Sequence, residues 1–437
     1  MRIVIVGSGP IGTFSGLMLA RRGHQVVLVD RDPGPGDGGS WARRGVMQFA
    51  LPHFFRPQVR QAIVEEVPEL WSALLLAGGL PALPPGFPEQ MTGLQCRRAT
   101  FERALWTFTD GEPGVARVTG HADRLVVTGD RVTGVVVDGN EIGADLVVVA
   151  TGRAGHLGDE VRAPGESSSC GFSYAARQYV ARTDVETPPW GMPNMATYNG
   201  YYSIVFPQDA QTITALIVRP TADPRLNELR HNHVFDAVAA RVPHLAEWTD
   251  PDRFDPITDV LSGSNLTNAY RGQRNEAGRA TAGAVFIGDA LCTTNPAAGR
   301  GVALGMAQAR TLVGMLEQDS DLRSVAETFD NWCADNIEPW YADHVYWDAT
   351  ALRRFAGEDI DVDARIPSDV IVECAQVDPS IMAAAGPYLG MFATPRIMDT
   401  VQDKARAVLR TGWRPSYADG PTRDELAELV YLASEAA

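Results

Sequence analysis

Short apolar runs and a periodic segment alternate along the first part of the chain. Residues 2–6 and 24–29 are rich in Val, Ile and Leu, which is typical of buried parallel strands, and 13–22 between them has the apolar spacing of a helix. Two later apolar runs, 146–149 and 284–287, also have the character of fully buried strands. The pattern predicts a β-α-β unit that the later strands extend into a parallel sheet.

Three glycines separate the first predicted strand from the first helix. Gly7 permits a tight turn, Gly9 lets the backbone approach a pyrophosphate, and Gly12 lets the helix pack closely on the strand. Free N–H groups at the start of the helix then face the phosphates. Asp30 ends the second strand, eighteen residues after Gly12, where it is placed to accept hydrogen bonds from ribose hydroxyls. The unit predicts a bound adenine dinucleotide, and by itself it does not separate NAD from FAD.

The middle of the chain has a different pattern. Segments 171–180, 201–207 and 212–218 alternate in the manner of strands, and 208–211 supplies the polar turn of a hairpin. Helical spacing predominates after residue 321. We predict an α/β fold in which a Rossmann-like, discontinuous dinucleotide-binding domain carries an inserted antiparallel β-sheet domain and a C-terminal helical region.

The predicted domain boundaries follow these changes of pattern. The first part of the dinucleotide-binding domain is 1–165, the substrate-binding sheet domain is 166–270, the second part of the dinucleotide-binding domain is 271–320, and the helical region is 321–437.

Composition excludes several classes of protein. The formal charge of −16 argues against a nucleic-acid partner, because binding phosphate requires a basic surface. The apolar runs are shorter than the roughly 20 residues of a membrane-spanning helix, and no signal peptide is recognised, so we expect no integral membrane contact and a cytoplasmic location. The five cysteines have no Cys-x-x-Cys spacing, and we predict no metal site.

Four segments, taken in order, carry a resemblance to a known family. They are the glycine loop at 7–12, Arg-Ala-Thr-Phe-Glu-Arg-Ala-Leu at 98–105, Gly-Asp at 288–289, and Pro-x-x-Gly-x-Gly at 296–301. Together they resemble the flavoprotein monooxygenase superfamily with the p-hydroxybenzoate hydroxylase fold. The resemblance implies that FAD is the dinucleotide, that Gly-Asp contacts its ribityl chain, and that the Pro-x-x-Gly-x-Gly loop lies against its isoalloxazine ring.

Site residues follow from the glycine motif and from this resemblance. The residues expected to bind FAD are Gly7, Gly9, Pro10, Ile11, Gly12, Asp30, Arg31, Arg44, Arg98, Thr151, Gly152, Gly288, Asp289, Pro296, Gly299, Gly301 and Val302. The candidate catalytic residues are His53 and Arg44, each of which has an ordinary packing or phosphate contact as an equally good interpretation. The candidate walls of the substrate pocket are Tyr201, Tyr202 and Phe206.

Departures from the family pattern point to one branch. The strand at 146–149 ends in Ala-Thr-Gly-Arg, where single-component aromatic hydroxylases have Asp-Gly, and this resembles the styrene monooxygenase, epoxidase and halogenase-like branch. NAD(P)H is therefore expected as the electron source either directly or through a separate flavin reductase. Halogenases of this fold rely on an active-site lysine, whereas Lys404, the only lysine here, falls in a charged C-terminal helix, so halogenation is disfavoured.

The function predicted is that of an FAD-dependent monooxygenase. It would use dioxygen and a C4a-(hydro)peroxyflavin to hydroxylate or epoxidise a largely apolar small molecule, in a monomer or homodimer. Two alternatives stay open at this point: an FAD-dependent reductase or dehydrogenase without oxygen transfer, and a non-catalytic flavin-binding redox sensor.

Overall fold

A computed structural model describes residues 1–36, 41–43, 45–188 and 194–436. The strands within these residues are β1 (Arg2–Val6), β2 (Gln25–Asp30), β3 (Phe54–Phe55), β4 (Leu80–Ala82), β5 (Gly93–Gln95), β6 (Val115–Thr119), β7 (Ala122–Thr128), β8 (Arg131–Val137), β9 (Asn140–Gly143), β10 (Leu146–Val149), β11 (Glu166–Ser169), β12 (Phe172–Ala181), β13 (Asn194–Tyr198), β14 (Tyr201–Pro207), β15 (Thr212–Pro220), β16 (Phe254–Pro256), β17 (Leu261–Gly263), β18 (Thr267–Tyr270), β19 (Ala284–Phe286) and β20 (Cys292–Thr293).

Helices connect the strands and form most of the C-terminal part. They are α1 (Pro10–Arg21), α2 (Pro57–Glu66), α3 (Pro68–Leu76), α4 (Arg98–Asp110), α5 (Asn232–Ala239), α6 (Pro243–Ala246), α7 (Gly301–Gln318), α8 (Leu322–Asn336), α9 (Glu338–Phe355), α10 (Ser368–Cys374), α11 (Met382–Gly390), α12 (Gln402–Arg410) and α13 (Arg423–Glu435). Short 3-10 helices include Gly288–Ala290 and Pro296–Ala298. No helix of the described ranges combines the length and apolarity that crossing a bilayer requires.

A five-stranded sheet in the order β19-β10-β1-β2-β6 forms the centre of the first unit, and all four strand pairs are parallel. Alternate residues of β1 enter different cores: Ile3 and Ile5 pack on the helical side, while Val4 and Val6 face β7, β8 and β9. Because both faces are covered, the central strand segments of β1, β10 and β19 are apolar. The carboxyl ends of β1, β10 and β19 meet at one edge, where ligands of such sheets bind.

The second unit is an antiparallel sheet in the order β13-β14-β15-β12-β16, with β17 also paired to β12. One face packs on α5 and α13 through residues such as Tyr201 and Val205, and Leu426 of α13 completes that core. The other face carries Phe172 and Ile204 and packs against Phe355 of α9. Period-two alternation along the strands therefore builds two separate cores.

The predicted fold class is confirmed. Strand 201–207 matches its predicted bounds, and β19 returns to the parallel sheet after the antiparallel insertion, which makes the dinucleotide-binding unit discontinuous. The pattern did not predict β6, the edge strand of the parallel sheet, whose residues are only partly buried. The boundaries at residues 165, 270 and 320 remain sequence-based predictions.

Candidate flavin-binding cleft

The glycine loop has the close packing that its spacing predicts. Gly7 has φ +106°, and a Cβ on it would overlap the carbonyl oxygen of Ala150, so only glycine fits there. A Cβ on Gly12 would overlap the carbonyl oxygen of Gly7, which is how α1 approaches β1 so closely. Gly9 differs, because the nearest atom to its Cβ position is Nη1 of Arg43 at 3.9 Å. The side of the loop at Gly9 is thus open to a ligand, and Arg43 faces it.

Asp30 and Arg43 meet beside this loop. Asp30 Oδ2 accepts hydrogen bonds from the main-chain N–H of Ser8 at 2.6 Å and from Nη2 of Arg43 at 2.7 Å. Arg43 Nη1 donates to Glu102 Oε2 at 2.7 Å. Burial of Arg43 opposes its charge, but Glu102 and Asp30 outweigh burial and raise the pKa of the guanidinium. A fixed positive charge therefore lies where the pyrophosphate and ribose of a dinucleotide would bind.

Sequence reasoning missed Arg43 and chose its neighbour Arg44. Arg44 lies outside the described residues, so its roles in FAD binding and catalysis stay predictions. Arg31, the other predicted arginine of this region, is exposed and lies against Gly45. The ring of Trp41 lies 5.7 Å from the guanidinium of Arg43, but this contact exists only in the folded loop and gives no signal in the sequence.

Arg98 extends the polar network toward the middle of the cleft. It begins α4 and pairs with Glu102, which is buried between Arg98 and Arg43. Its Nη1 also donates to Oε1 of Gln48 at 3.3 Å. The two guanidinium groups share one carboxylate, so the nucleotide end and the middle of the cleft are joined by charge-assisted hydrogen bonds.

The Gly-Asp turn closes onto the same cleft. The Cβ position of Gly288 is 3.4 Å from Ile11 of the glycine loop, and that of Gly301 is 3.4 Å from Oδ1 of Asp289. Burial raises the pKa of Asp289, and the positive charges of Arg98, Arg153 and Arg271 oppose that rise. Residues 7–12, 98 and 288–301 therefore lie close together. Pro296 and Gly299 form the turn before α7, and Gly299 has a φ of +64°. Val302 lies in the first turn of α7.

Thr151 offers a direct indication that the cleft accepts a polar ligand. Its Oγ1 is buried without a hydrogen-bond partner, at the carboxyl end of β10. Gly152, the next residue, has φ +77° and continues the turn. A buried hydroxyl without a partner costs free energy, and a ligand oxygen at this edge of the sheet would remove that cost. The residues present thus fit the phosphate and ribityl part of FAD.

Two buried clusters that the sequence did not reveal fix the loop before α7. Asp348 of α9 accepts hydrogen bonds from Nδ2 of Asn295 and Nδ2 of Asn268, both at 2.8 Å. Burial raises the pKa of Asp348 to about 6. Arg300 lies on the other side of the loop, where Nη1 contacts Asp343 Oδ2 at 3.1 Å and the guanidinium lies 4.6 Å from the ring of Trp340. The helical region therefore holds the flavin loop from both ends.

His53 lies near Arg98 at the same cleft. Its Nδ1 is 3.0 Å from the carbonyl oxygen of Leu51, and its ring stacks on Phe55 with centroids 5.6 Å apart. Burial, with a smaller effect of Arg98, lowers the pKa of His53 to about 3. The imidazole is therefore neutral at physiological pH.

The three predicted pocket walls are on two faces of the antiparallel sheet. Tyr201 is fully buried on the side of α5 and α13, where it stacks on Tyr198 at 4.8 Å. Tyr202 and Phe206 point to the opposite face, which also carries Phe172 and packs against Trp347 of α9. The structure therefore brings Tyr202 and Phe206 together, and it separates Tyr201 from them.

A groove of about 810 Å³ lies elsewhere, between α2, residues 86–91 and the end of α11. Phe87, Met91 and Phe392 are among its lining residues, and none of the predicted FAD-binding residues borders it. The flavin site is therefore identified by the chemistry of its residues. Among the described residues no cluster of His, Cys, Asp or Glu suited to a metal ion occurs.

Comparison with known proteins supports FAD as the ligand. Residues 2–105 match the protein family described as FAD dependent oxidoreductase. D-amino acid dehydrogenase 2 of Ralstonia nicotianae is 38% identical over 68 residues, which are 16% of this chain and 15% of that protein. The chain spans less than a quarter of the curated relatives it matches, with 15%, 23% and 12% of their lengths covered.

Solved structures share the fold over much more of the chain. A probable FAD-dependent monooxygenase, PqsL of Pseudomonas aeruginosa, has a TM-score of 0.61 at 15% identity, covering 82% of this chain and 98% of that one. The flavin-dependent brominase Bmp2 has a TM-score of 0.66 at 16% identity, covering 94% and 100%. At such identities the likeness establishes the fold. Residues 2–105 thus match an FAD dependent oxidoreductase family, and the chain has a fold that it shares with FAD-dependent monooxygenases and halogenases.

Proposed function

We propose that the protein is an FAD-dependent monooxygenase that hydroxylates or epoxidises a largely apolar small molecule. The observation that carries the proposal is the convergence of the glycine loop, Arg98 and the 288–301 segment on one cleft, which the inserted sheet and α9 adjoin. Bound FAD supplies the electron transfer and the reaction with dioxygen, since no protein side chain does this chemistry.

In this proposal the residues of the protein bind FAD and orient it. Arg43 and the glycine loop hold the phosphates, Asp30 accepts from the ribose, and Thr151 Oγ1 hydrogen-bonds the ribityl chain. His53, neutral at physiological pH, accepts or donates one hydrogen bond beside the ring without adding charge. Asp289 is the candidate acceptor for a further ribityl hydroxyl.

The face of the sheet with Tyr202 and Phe206 is the proposed wall of the substrate site. Phe172 lies 6.2 Å from Tyr202, ring centroid to ring centroid, and Phe355 and Trp347 of α9 belong to the same cluster. Aromatic rings around a cleft favour an apolar, flat substrate and exclude water from it. Burial raises the pKa of Tyr202, so its hydroxyl stays protonated.

The test begins with the purified protein and FAD, mixed without oxygen with NADH, NADPH or a flavin reductase. Bleaching by one of these identifies the electron source. Addition of ¹⁸O₂ and a set of aromatic or alkene substrates is then expected to give a product that contains one labelled oxygen atom. A protein that binds no FAD, or product whose added oxygen comes from water, would contradict the proposal.

A dehydrogenase without oxygen transfer is the second candidate. It is favoured by the local identity with D-amino acid dehydrogenases in the N-terminal part of the chain. Substrate oxidation without oxygen, with an artificial electron acceptor, would select it. If FAD binds but no substrate or acceptor turns over, a redox sensor is the better description.

Halogenation is disfavoured by the position of the only lysine. Lys404 is exposed on α12, and its Nζ donates to Oγ of Ser380 at 2.8 Å, outside the flavin cleft. We expect Lys404→Arg to leave FAD binding and turnover unchanged, as judged by FAD titration and oxygen consumption. Halide-dependent product formation that Lys404→Arg abolishes would revive the halogenase interpretation.

A further inference from the structure

Arg56 is a half-buried cation to which the described part of the chain brings no carboxylate. It lies between β3 and α2, and its guanidinium donates to two main-chain carbonyl groups, those of Ala298 and of Leu389, the latter at 3.4 Å. Its Nε is buried and has no hydrogen-bond partner. The charged or ionisable neighbours that interact with it include another arginine, Arg300, the hydroxyl of Tyr388 and the imidazole of His344.

Two arginines of this region that are more deeply buried than Arg56 have carboxylate partners. Arg300 contacts Asp343 at 3.1 Å, and Arg43 contacts Asp30 and Glu102, both at 2.7 Å. Arg56 has only carbonyl dipoles, and the ring of Phe54 lies 5.6 Å from its Cζ. Burial and the repulsion of Arg300 lower the pKa of Arg56 to about 10, so it keeps its positive charge at neutral pH.

A half-buried charge without a counter-ion, with its Nε buried and unpaired, costs free energy that a negative ligand would offset. Holding the Pro296–Gly301 loop in place does not require a charged side chain, because a neutral hydrogen-bond donor such as glutamine can also bind main-chain carbonyl groups. Groups held in an unfavourable charge state in a cleft are frequent at functional sites. The missing negative charge is therefore one that arrives with a ligand.

The position of Arg56 indicates which ligand. Its Nε is 3.9 Å from the Cβ position of Gly299, and Nη2 touches the carbonyl group of Ala298, so it borders the Pro296–Gly301 loop. α7 starts at Gly301 and directs the positive end of an 18-residue helix to the same place. Side chain and helix thus both favour negative charge beside this loop.

We infer that Arg56 stabilises the negative charge that the FAD ring acquires on reduction, and thereby raises the reduction potential of the bound flavin. The inference rests on the proposed function and on the family resemblance, which implies that the ring lies against the Pro296–Gly301 loop. Two electrons from the reductant and one proton, added to the neutral oxidised ring, leave one negative charge. A fixed cation beside that charge binds reduced FAD more tightly than oxidised FAD.

The test compares the midpoint potential of FAD in the full-length protein and in variants, by equilibrium reduction with dithionite against a redox dye. Arg56→Met removes the charge and keeps an unbranched side chain. We expect it to lower the ratio of the protein's affinity for reduced FAD to its affinity for oxidised FAD at least tenfold. For a two-electron couple this is about 30 mV. Arg56→Lys keeps the charge and is expected to stay within threefold of the wild-type ratio.

Arg60→Met is the matched control. Arg60 lies one turn further along α2, pairs with the exposed Glu89 at 2.9 Å, and its replacement changes the net charge by the same amount. We expect it to leave the potential unchanged. If Arg56→Met does not fold, Arg56→Gln carries the test by the same criterion, because it keeps one donor toward Ala298.

The outcomes separate the two proposals. FAD bound in all variants with an unchanged potential would overturn the role of Arg56 and leave the proposed function standing. An effect of Arg56→Met on substrate KM alone would assign Arg56 to an anionic substrate group and would also overturn the inference. Failure of the wild-type protein to bind FAD would instead overturn the proposed function.

Discussion

Gly7 shows how one residue determines local structure through the absence of a side chain. Its φ of +106° and the nearby carbonyl oxygen of Ala150 each exclude a Cβ. Gly23, after α1, also has a positive φ, +80°, but nothing lies within 4 Å of its Cβ position. Substitutions at Gly23 and Gly7 therefore distinguish the free-energy cost of a strained backbone, which both have, from the cost of steric overlap, which only Gly7 has.

We predict different outcomes for Gly7→Ala and Gly23→Ala. Gly23→Ala has only the backbone cost, about 1–2 kcal/mol of the free energy of unfolding, and leaves FAD affinity unchanged. Gly7→Ala also displaces β10 from β1 and is expected to weaken FAD binding at least about tenfold, or about 1.4 kcal/mol. Urea unfolding and FAD titration measure the two effects, and equal FAD affinities in both variants would contradict the assignment.

Asp348 makes stability depend on pH in a direction that can be checked. Because burial raises its folded-state pKa to about 6, above the ordinary value of 3.8, the folded state binds a proton more readily than the unfolded state between these values. The contribution of Asp348 to the free energy of unfolding therefore falls as pH rises through 4 to 6. On an order-of-magnitude basis the loss is about 3 kcal/mol.

Asp348→Asn removes this proton-binding group and is the variant of choice. The difference in unfolding free energy, wild type minus variant, is expected to decrease by up to about 3 kcal/mol between pH 4 and pH 7. The lost hydrogen bonds add an offset that does not depend on pH. Denaturation series at both pH values test this, and a difference that stays constant would show that Asp348 does not titrate in that range.

At the scale of elements, α13 is part of the antiparallel sheet unit although it is the last helix of the chain. A capping box of Thr422 and Glu425 starts it, and Leu426, Ala427 and Val430 pack against α5 and the sheet. The sequence pattern identified a charged helix here, and only the packing shows which surface it covers. Without α13 the core that contains Tyr201 would be open to water.

Leu426→Ala is expected to destabilise the fold by about 2–5 kcal/mol, because it leaves a cavity in a closed core. Leu432→Ala on the same helix is the control, since Leu432 is 56% exposed, and we expect a change within about 0.5 kcal/mol. Chemical denaturation compares the two variants. A loss of similar size in both would mean that the outer face of α13 is also covered in solution.

At the scale of the whole molecule, FAD binding links distant parts of the chain. Asp343 and Asp348 of α9 hold the loop before α7. Ile11 of the glycine loop lies 3.4 Å from the place that a Cβ on Gly288 would occupy. A ligand that binds across these contacts stabilises the folded state by about 2.7 kcal/mol at a concentration of 100 times its Kd. We therefore expect FAD to raise Tm in a concentration-dependent way.

Two aspartates at opposite ends of the parallel sheet test where FAD binds. Asp30 ends β2 at the ligand edge, whereas Asp145 precedes β10 and accepts from the N–H of Arg2 at 2.7 Å. Asp30→Asn is expected to weaken FAD binding about tenfold or more and to reduce the FAD-dependent rise in Tm. Asp145→Asn is expected to preserve both. Fluorescence titration measures FAD affinity, and thermal unfolding measures the rise in Tm. An equal loss of FAD affinity in both variants would show that Asp30 does not bind FAD.

The sequence by itself determined the local features. Apolar runs predicted the strands of the parallel sheet, period-two alternation predicted β14 and β15, and glycine spacing predicted the loop at 7–12, because each of these depends on neighbouring residues only.

The tertiary structure decided which polar side chains meet. Arg43, Arg56, Arg300 and Asp348 have no signature in the sequence, since their roles come from partners more than 40 residues away: Glu102, Ala298, Asp343 and Asn295. Strand alternation by itself places Tyr201 and Tyr202 on opposite faces, and only the fold shows that both faces of this sheet are covered. Alternation gives two faces, and long-range packing determines which of them adjoins the cleft.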